Sequence, residues 1–326
     1  MKDSTSIFDI TTAERFAASA LDIFNFQYKT VQVYRNFCEG LSINPKEVDA
    51  IEKIPFLPIS FFKSHKILSD DKSSQLIFES SGTTGELTSK HFVADESIYK
   101  NSFRKGFEQA YGNISDYVIL ALLPSYLERD NSSLVYMVAD WINQSQHADS
   151  GFYLNQMDKL HDKLVALDSA GQKVILIGVS FALLDLAERY PMRLCNTIVM
   201  ETGGMKGRRK ELVRSELHQI LKTGLGVSTI HSEYGMTELL SQAYSQGEGL
   251  FGCPPWMKIL IRDPEDPLTL MGHSKNGGIN VIDLANVYSC SFVATQDLGK
   301  TYPDERFEVL GRFDHADIRG CNLLVQ

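Results

Sequence analysis

Apolar residues recur at helical spacing near the start of the chain. Phe16, Ala20, Phe24, Tyr28 and Val31 fall on one face of residues 11–38, and Thr11 with Glu14 offers a capping box. The pattern predicts one long helix there. The next stretch, "KIPFLPISFFKSHK", carries Pro55 and Pro58, which forbid a regular helix and favour extended chain. "QLIF" then reads as a strand, and beyond it short apolar runs alternate with helical patterns. The runs predict strands at 117–123, 173–178, 197–202 and 227–232, with helices around 132–145, 158–170, 180–190 and 208–222. In the last helix Leu212, Val213, Leu217, Ile220 and Leu221 share a face, and Gly224 offers a C-cap. Strands alternating with helices imply an α/β fold, a mainly parallel sheet covered on both faces.

The texture changes after about residue 250. "PPWMKILIRDPEDP", "GINVIDLA", "YSCSFVATQDLG" and "RFEVLGR" read as short strands joined by turns. The expected organisation is an α/β core over 1–250, including the N-terminal helix, followed by a β-rich subdomain over 251–326.

Composition narrows the function classes. A chain of 326 residues, 43% hydrophobic, can bury one large core or two domains. A net charge of −9 argues against a nucleic-acid coat or an anionic-membrane binder, while leaving room for a local basic pocket. The five cysteines, Cys38, Cys195, Cys253, Cys290 and Cys321, are scattered without a CxxC pair. That fits neither a disulfide framework nor a zinc site and points to a reducing compartment. The N-terminus lacks the apolar run of a signal peptide, and no stretch reaches the roughly 18 apolar residues of a membrane span. The cytoplasm is the expected location.

The chemistry concentrates where predicted strands end. "FESSGTTGELTSKH", Phe78 to His91, gathers Ser80, Ser81, Thr83 and Thr84 around Gly82 and Gly85, with Lys90 just beyond. Glycine lets backbone N–H groups form a concave anion nest, and the hydroxyls add donors. The same composition also suits a solvated turn, and the common GxxxxGK[ST] phosphate loop is absent. Gly203 and Gly204 follow another strand, Tyr234, Thr237 and Glu238 a third, while Asp297 lies in "ATQDLG" and Arg312 in "LGRFDHADIRG". In open parallel sheets ligands sit beyond the carboxyl ends of strands. Singly, Glu238 could be a first-turn carboxylate, Asp297 a turn former and Arg312 a surface charge. Together they supply phosphate donors, a flat aromatic for a base, a carboxylate for Mg²⁺ and an acid for ribose hydroxyls.

The ordered set "SSGTTG", "EYGMTE", "TQDLG" and "GRFDHADIRG" resembles the motif series of the adenylate-forming superfamily, the acyl-CoA synthetases and their relatives. The resemblance spans residues 78–320. "IPFLPISFFKSHKI", "ETGGMKGRR" and the ending "IRGCNLLVQ" resemble more narrowly the LuxE-like acyl-protein synthetases, which activate acids for fatty-acid reductase systems. The resemblance implies that Ser80, Ser81, Gly82, Thr83, Thr84 and Gly85 hold the ATP phosphates, with Lys90 where the superfamily's loop ends in lysine. It implies that Gly203 and Gly204 flank the adenine and that Tyr234, with Gly235 beside it, stacks on the base. Thr237 would bind the α-phosphate, Glu238 would ligate Mg²⁺, and Asp297 would bond the ribose with Arg312 nearby. The implied reaction joins ATP to a carboxylic acid, giving an acyl-adenylate and pyrophosphate.

The superfamily continues past its "GRxxD" motif into a small mobile domain bearing a catalytic lysine, whereas this sequence ends fourteen residues after Arg312. The expectation is that this domain is lacking, as in LuxE-like proteins, and that the acyl group passes to a protein thiol. Cys321, with Arg319 near it, is the candidate acceptor, and a small buried residue ending a strand is the alternative. An acyl reductase, an acyl carrier or coenzyme A would take the group onward. A phenylacetate-type CoA ligase and a non-catalytic nucleotide-binding subunit are the competing readings. A hydrolase is a third: "GVSFA" resembles the GxSxG elbow at Gly178 and Ser180, but Ala182 replaces the last glycine, and Ser180 also reads as a helix N-cap. His91 and His231 flank nucleotide-binding segments, as substrate contacts or as satisfied packing. Met236, Phe251 and Trp256 are candidate linings for the acid pocket.

Overall fold

The structure is a computed structural model describing residues 4–80, 87–123, 131–154, 156–203 and 212–313. Its helices are α1 (Ala13–Thr30), α2 (Gln32–Gly40), α3 (Phe61–Ser64), α4 (Glu96–Tyr111), α5 (Ser133–Ser145), α6 (Met157–Ser169), α7 (Ser180–Arg189) and α8 (Arg214–Leu225). The strands of the first half are β1 (Leu57–Pro58), β2 (Leu76–Glu79), β3 (Lys90–Val93), β4 (Val118–Leu122), β5 (Gly151–Phe152), β6 (Val174–Val179), β7 (Thr197–Thr202) and β8 (His231–Tyr234). Those of the second half are β9 (Ala243–Ser245), β10 (Phe251–Gly252), β11 (Met257–Arg262), β12 (Leu270–Met271), β13 (Gly277–Asp283), β14 (Phe292–Thr301) and β15 (Phe307–Arg312).

One sheet runs through the molecule in the order β12-β11-β13-β14-β15-β10-β9-β8-β7-β6-β4-β5, with β1 added parallel to β14. From β5 to β8 the pairings are parallel, and from β8 to β12 they are antiparallel. Every residue of β4 and β6 is buried, which is why their sequences are unbroken apolar runs rather than alternating ones. The hairpin β2–β3 stands apart as a two-stranded sheet.

Several expected boundaries move, each for a local reason. The N-terminal helix divides at Val31, whose extended backbone (φ −108°, ψ 95°) ends α1 before α2 begins. Thr12, not Thr11, caps it, accepting from the Arg15 amide at 3.3 Å. Gly224 lies inside α8 because a Cβ there would come within 2.8 Å of Ala187 in α7, so it serves helix packing. Gly226, at φ +67°, terminates the helix instead. The helix α4 has no counterpart among the predicted elements. Asp95 caps it through the Ser97 amide at 2.9 Å, and Ile98, Tyr99, Phe103 and Phe107 form its buried face. Strand β8 starts at His231, four residues later than the apolar run suggests.

Among the described residues no helix is long and apolar enough to cross a membrane.

Candidate functional site

Five segments meet beyond the carboxyl ends of β7 and β8. The hairpin β2–β3 brings the first, with Phe78 opposite His91 and Glu79 opposite Lys90. Past the strands the pairing continues: the Ser80 amide donates to the Ser89 carbonyl at 3.0 Å, and the Ser89 amide to Ser80 Oγ at 2.8 Å. Ser80 and Ser89, at the roots of the expected loop, are therefore tied to each other, while Ser81, Gly82, Thr83, Thr84 and Gly85 lie outside the described residues. Lys90 is half exposed at the base of that loop and pairs with Glu79 Oε1 at 3.2 Å. A surface pair of this kind contributes at most about 1 kcal/mol, so it leaves the ammonium free to exchange partners.

The second segment follows β7. Gly203 takes a left-handed φ of +63°, and its carbonyl accepts from Ser180 Oγ at 3.2 Å; Gly204 falls outside the described residues. Ser180 is not the N-cap of α7, a position held by Val179. Its hydroxyl is buried and also donates to Glu201 Oε2 at 3.2 Å, an arrangement that braces Gly203 and does not activate a nucleophile. Glu201 in turn meets His218 Nε2 at 3.5 Å and Arg214 Nε at 3.6 Å.

The third segment is Tyr234 to Glu238, at and just past the end of β8. Tyr234 packs edge-on against Phe307 and Phe251, with centroids 5.5 and 6.0 Å away. Its hydroxyl donates to Asp297 Oδ2 at 2.9 Å. A Cβ at Gly235 would fall 2.3 Å from Glu233 Oε1, so any side chain there requires that carboxylate to move. Glu238 is only 6% exposed. Burial pushes its carboxyl up, opposed by a hydrogen bond from Ser89 and the charge of Arg312, with Asp297 adding to the rise.

The fourth and fifth are β14 and β15, where Asp297 and Arg312 are cross-strand partners. Arg312 Nε donates to Asp297 Oδ1 at 3.3 Å and otherwise faces solvent. Thus Ser89, Tyr234, Glu238, Asp297 and Arg312, distant in sequence, form one electrostatic neighbourhood. Cys321 lies outside the described residues.

The motif reading missed residues whose work is internal. The buried guanidinium of Arg262 donates to Ile279 O at 2.7 Å, Asn280 Oδ1 at 2.8 Å and the Thr295 carbonyl. Burial pulls it down to about 10, while Asp297 and Tyr234 pull it back up. Gly278 leaves it room, since a Cβ would come within 2.5 Å of the guanidinium. Glu233 is buried, its carboxyl driven up to about 7 by desolvation, against a hydrogen bond from Thr202 and with added repulsion from Glu201. Of the two histidines, His91 is fully buried and bonds the Thr237 carbonyl, and His231 contacts the Tyr111 hydroxyl at 3.2 Å. Phe251 and Trp256 are core residues: Phe251 stacks on Phe307 at 5.3 Å, and Trp256 Nε1 donates to Ser102 and Ser241.

The sheet with its site at the strand ends has the fold of the adenylate-forming ligases. It superposes on an open conformation of 2-hydroxyisobutyryl-CoA ligase, in complex with 2-HIB-AMP and CoA, with a TM-score of 0.68 at 11% identity, covering 93% of this chain and 70% of that one. On ATP-bound MatB from Rhodopseudomonas palustris the TM-score is 0.56 at 19% identity, covering 74% of this chain. The match spans about half of MatB's length (49%). Within that fold class the chain is similar to the LuxE acyl-protein synthetases. Residues 10–112 match the family model described as acyl-protein synthetase, LuxE. The chain is 24% identical to the long-chain-fatty-acid–luciferin-component ligase of Vibrio harveyi, over 92% of this chain and 84% of that protein. A ligase of the same name from Photorhabdus luminescens is 36% identical over 66 residues, 20% of this chain and 56% of that protein.

Proposed function

We propose that the protein activates a carboxylic acid with ATP, forming an acyl-adenylate and pyrophosphate, and then delivers the acyl group to a thiol. The observation that carries this reading is the convergence of Ser89, Tyr234, Glu238, Asp297 and Arg312 at the carboxyl ends of the parallel strands. The homologous ligases act, by name, on long-chain fatty acids, which supports a fatty acid as the substrate here.

In this reading the loop Ser80–Gly85 donates to the outer phosphates, and Lys90 sits at its base. Gly203 and Gly204 pass along one side of the adenine, and Tyr234 with Gly235 lines the other. Asp297 accepts from the ribose hydroxyls, an orientation that its bonds to Tyr234 and Arg312 hold. The Thr237 hydroxyl meets the α-phosphate. A carboxylate oxygen of the acid then forms a bond to the α-phosphorus as the bond to the bridging oxygen breaks and pyrophosphate leaves. Two anions approach one another, so fixed donors and cations have to spread the growing charge.

Glu238 fits a Mg²⁺ ion. It is a desolvated carboxylate with one side-chain donor beside it, and Mg²⁺ commonly takes one or two carboxylates plus phosphate oxygens. Among the described residues no group of three or more acidic, histidine or cysteine side chains forms a metal cage. When bound, the ion would neutralise phosphate charge.

In the second half-reaction a thiolate attacks the acyl carbon and AMP departs. We assign Cys321 as that acceptor, with an acyl reductase, an acyl carrier or coenzyme A receiving the group onward. The cysteine usage supports a reducing compartment, the cytoplasm. Pyrophosphate exchange across a panel of carboxylic acids tests the first step: exchange lost in Glu238→Ala and Thr237→Ala supports it, and no exchange with any acid favours a binding subunit. Cys321→Ser should retain exchange and lose acyl labelling of the protein. Persistent thiol labelling of that variant would remove Cys321 from the scheme, and product appearing only with coenzyme A would favour a CoA ligase.

A further inference from the structure

The backbone around Thr237 and Glu238 is held at consecutive points by side chains to which the proposed function gives no role. His91 Nδ1 lies 2.8 Å from the Thr237 carbonyl, and Asn286 Nδ2 donates to the Glu238 carbonyl at 2.8 Å. Asp283 Oδ2 accepts from the Leu240 and Ser241 amides at 2.8 and 3.0 Å, and its Oδ1 accepts from the Ala285 amide, fixing the short turn that carries Asn286. From the N-terminal side, Gln27 Nε2 donates to the Asn286 and Val287 carbonyls at 2.9 and 3.0 Å.

We propose that His91 and Asn286 are positioning residues of the adenylation step, clamping the two successive carbonyls so that the Thr237 hydroxyl and the Glu238 carboxylate face the phosphates in register with the loop hairpin. The inference rests on the adenylation reading above and deepens it. A carbonyl only accepts, so His91 must carry its proton on Nδ1. Burial pushes the imidazole down to about 4, against the pull of the Thr237 carbonyl and the Asn286 side chain, so it is neutral and a single tautomer results. In that state His91 Nε2 and Asn286 Oδ1 are both acceptors. Both are buried without a partner among the described residues, and both residues line a cavity of about 10 Å³.

The physical consequence is a rigid coupling. His91 lies on β3, directly opposite Phe78 and two residues from Ser89, the root of the phosphate loop. Phe62 packs edge-on against the imidazole at 5.7 Å, holding the ring plane. Any displacement of the hairpin is therefore transmitted to Thr237 through one hydrogen bond. Reactive groups misplaced by about 1 Å lose on the order of a hundredfold in rate, so the clamp acts on turnover. The adenine and ribose contacts, which lie at Tyr234 and Asp297, stay in place.

The test compares His91→Asn, His91→Gln, His91→Ala and Asn286→Ala in pyrophosphate exchange, with ATP KM and kcat measured separately. An asparagine amide nitrogen reaches the place of Nδ1, whereas a glutamine amide overshoots it. The expected result is kcat within about 3-fold of wild type for His91→Asn, and a fall of roughly 10- to 100-fold for the other three with ATP KM changed less than about 3-fold. Nitrogen-15 NMR of the wild-type protein should find His91 protonated on Nδ1. Equal kcat in all four variants, a loss confined to KM, or an Nε2–H tautomer overturns the clamp while leaving the adenylation reading intact. A wild-type protein inert towards every acid overturns that reading, and the clamp's role with it.

Discussion

The Tyr234 hydroxyl donates to Asp297 Oδ2 across 2.9 Å, joining the last residue of β8 to the middle of β14. The bond links the parallel half of the sheet to the antiparallel half at the proposed nucleotide site, and it leaves Asp297 Oδ1 to Arg312. Tyr234→Phe keeps the ring packing against Phe251 and Phe307 and removes only the donor. We expect about 1 to 3 kcal/mol lower stability, the cost of an unsatisfied buried carboxylate oxygen, and a higher ATP KM with kcat less affected. Denaturant melts and exchange kinetics check this.

The buried Glu233 predicts a pH dependence of stability. Its carboxyl rises from an ordinary 4.5 to about 7 in the folded protein. An acid raised on folding stabilises below its unfolded value, and that contribution is lost as pH rises through the folded value. Stability should therefore decline between about pH 4.5 and 7, by on the order of 3 kcal/mol from this group. Glu233→Gln should flatten the difference, as measured by urea midpoints of both proteins across that range. Parallel curves would show that Glu233 does not titrate there.

Gly235 and Glu233 are coupled by packing. Gly235→Ala places a methyl within 2.3 Å of Glu233 Oε1 and should cost about 1 to 3 kcal/mol, with loss of exchange. Adding Glu233→Ala should recover part of the stability, because the second change removes the clashing oxygen. A double-mutant cycle with no coupling would contradict the packing.

Glu238 is desolvated and shifted upward, so its charge destabilises the protein in the absence of a cation. Glu238→Gln should melt at or above the wild-type temperature near neutral pH while losing exchange activity by on the order of a hundredfold or more. Loss of folding together with loss of activity would indicate a structural carboxylate instead.

Gln27 links the first helix to the site. Gln27→Leu leaves the Asn286 and Val287 carbonyls and the Ser291 amide without their buried partner. We expect roughly 2 to 4 kcal/mol of destabilisation, together with a lower kcat, since Asn286 is displaced. Thermal melts and exchange kinetics test both.

Much of this was legible in one dimension, because the signals were local. The runs "VILAL" and "VILIGV" show burial on both faces, and "EYGMTE" marks the end of a strand, whereas "TQDLG", expected after a strand, lies within β14. The helix α4 was missed even though Asp95, Glu96 and Gly112 punctuate it, since its apolar face is interleaved with lysine and arginine. Gly224 is not the C-cap because its missing Cβ serves the contact with Ala187, and the helix runs on to Gly226, whose φ of +67° ends it; that packing contact is invisible in the local sequence.

The sequence alone determined the class of sheet, which depends on residue type and near-neighbour spacing, and it supplied the residues of the proposed nucleotide site. Only the tertiary structure decided that Tyr234 bonds Asp297, that Arg262 sits buried behind them, and that His91 and Asn286 hold the carbonyls of Thr237 and Glu238. Those are pairings across 63, 146 and 48 residues of chain in the first and last two cases. Partners that far apart are selected by which buried donor needs which buried acceptor once the sheet has closed, and no local pattern records that choice.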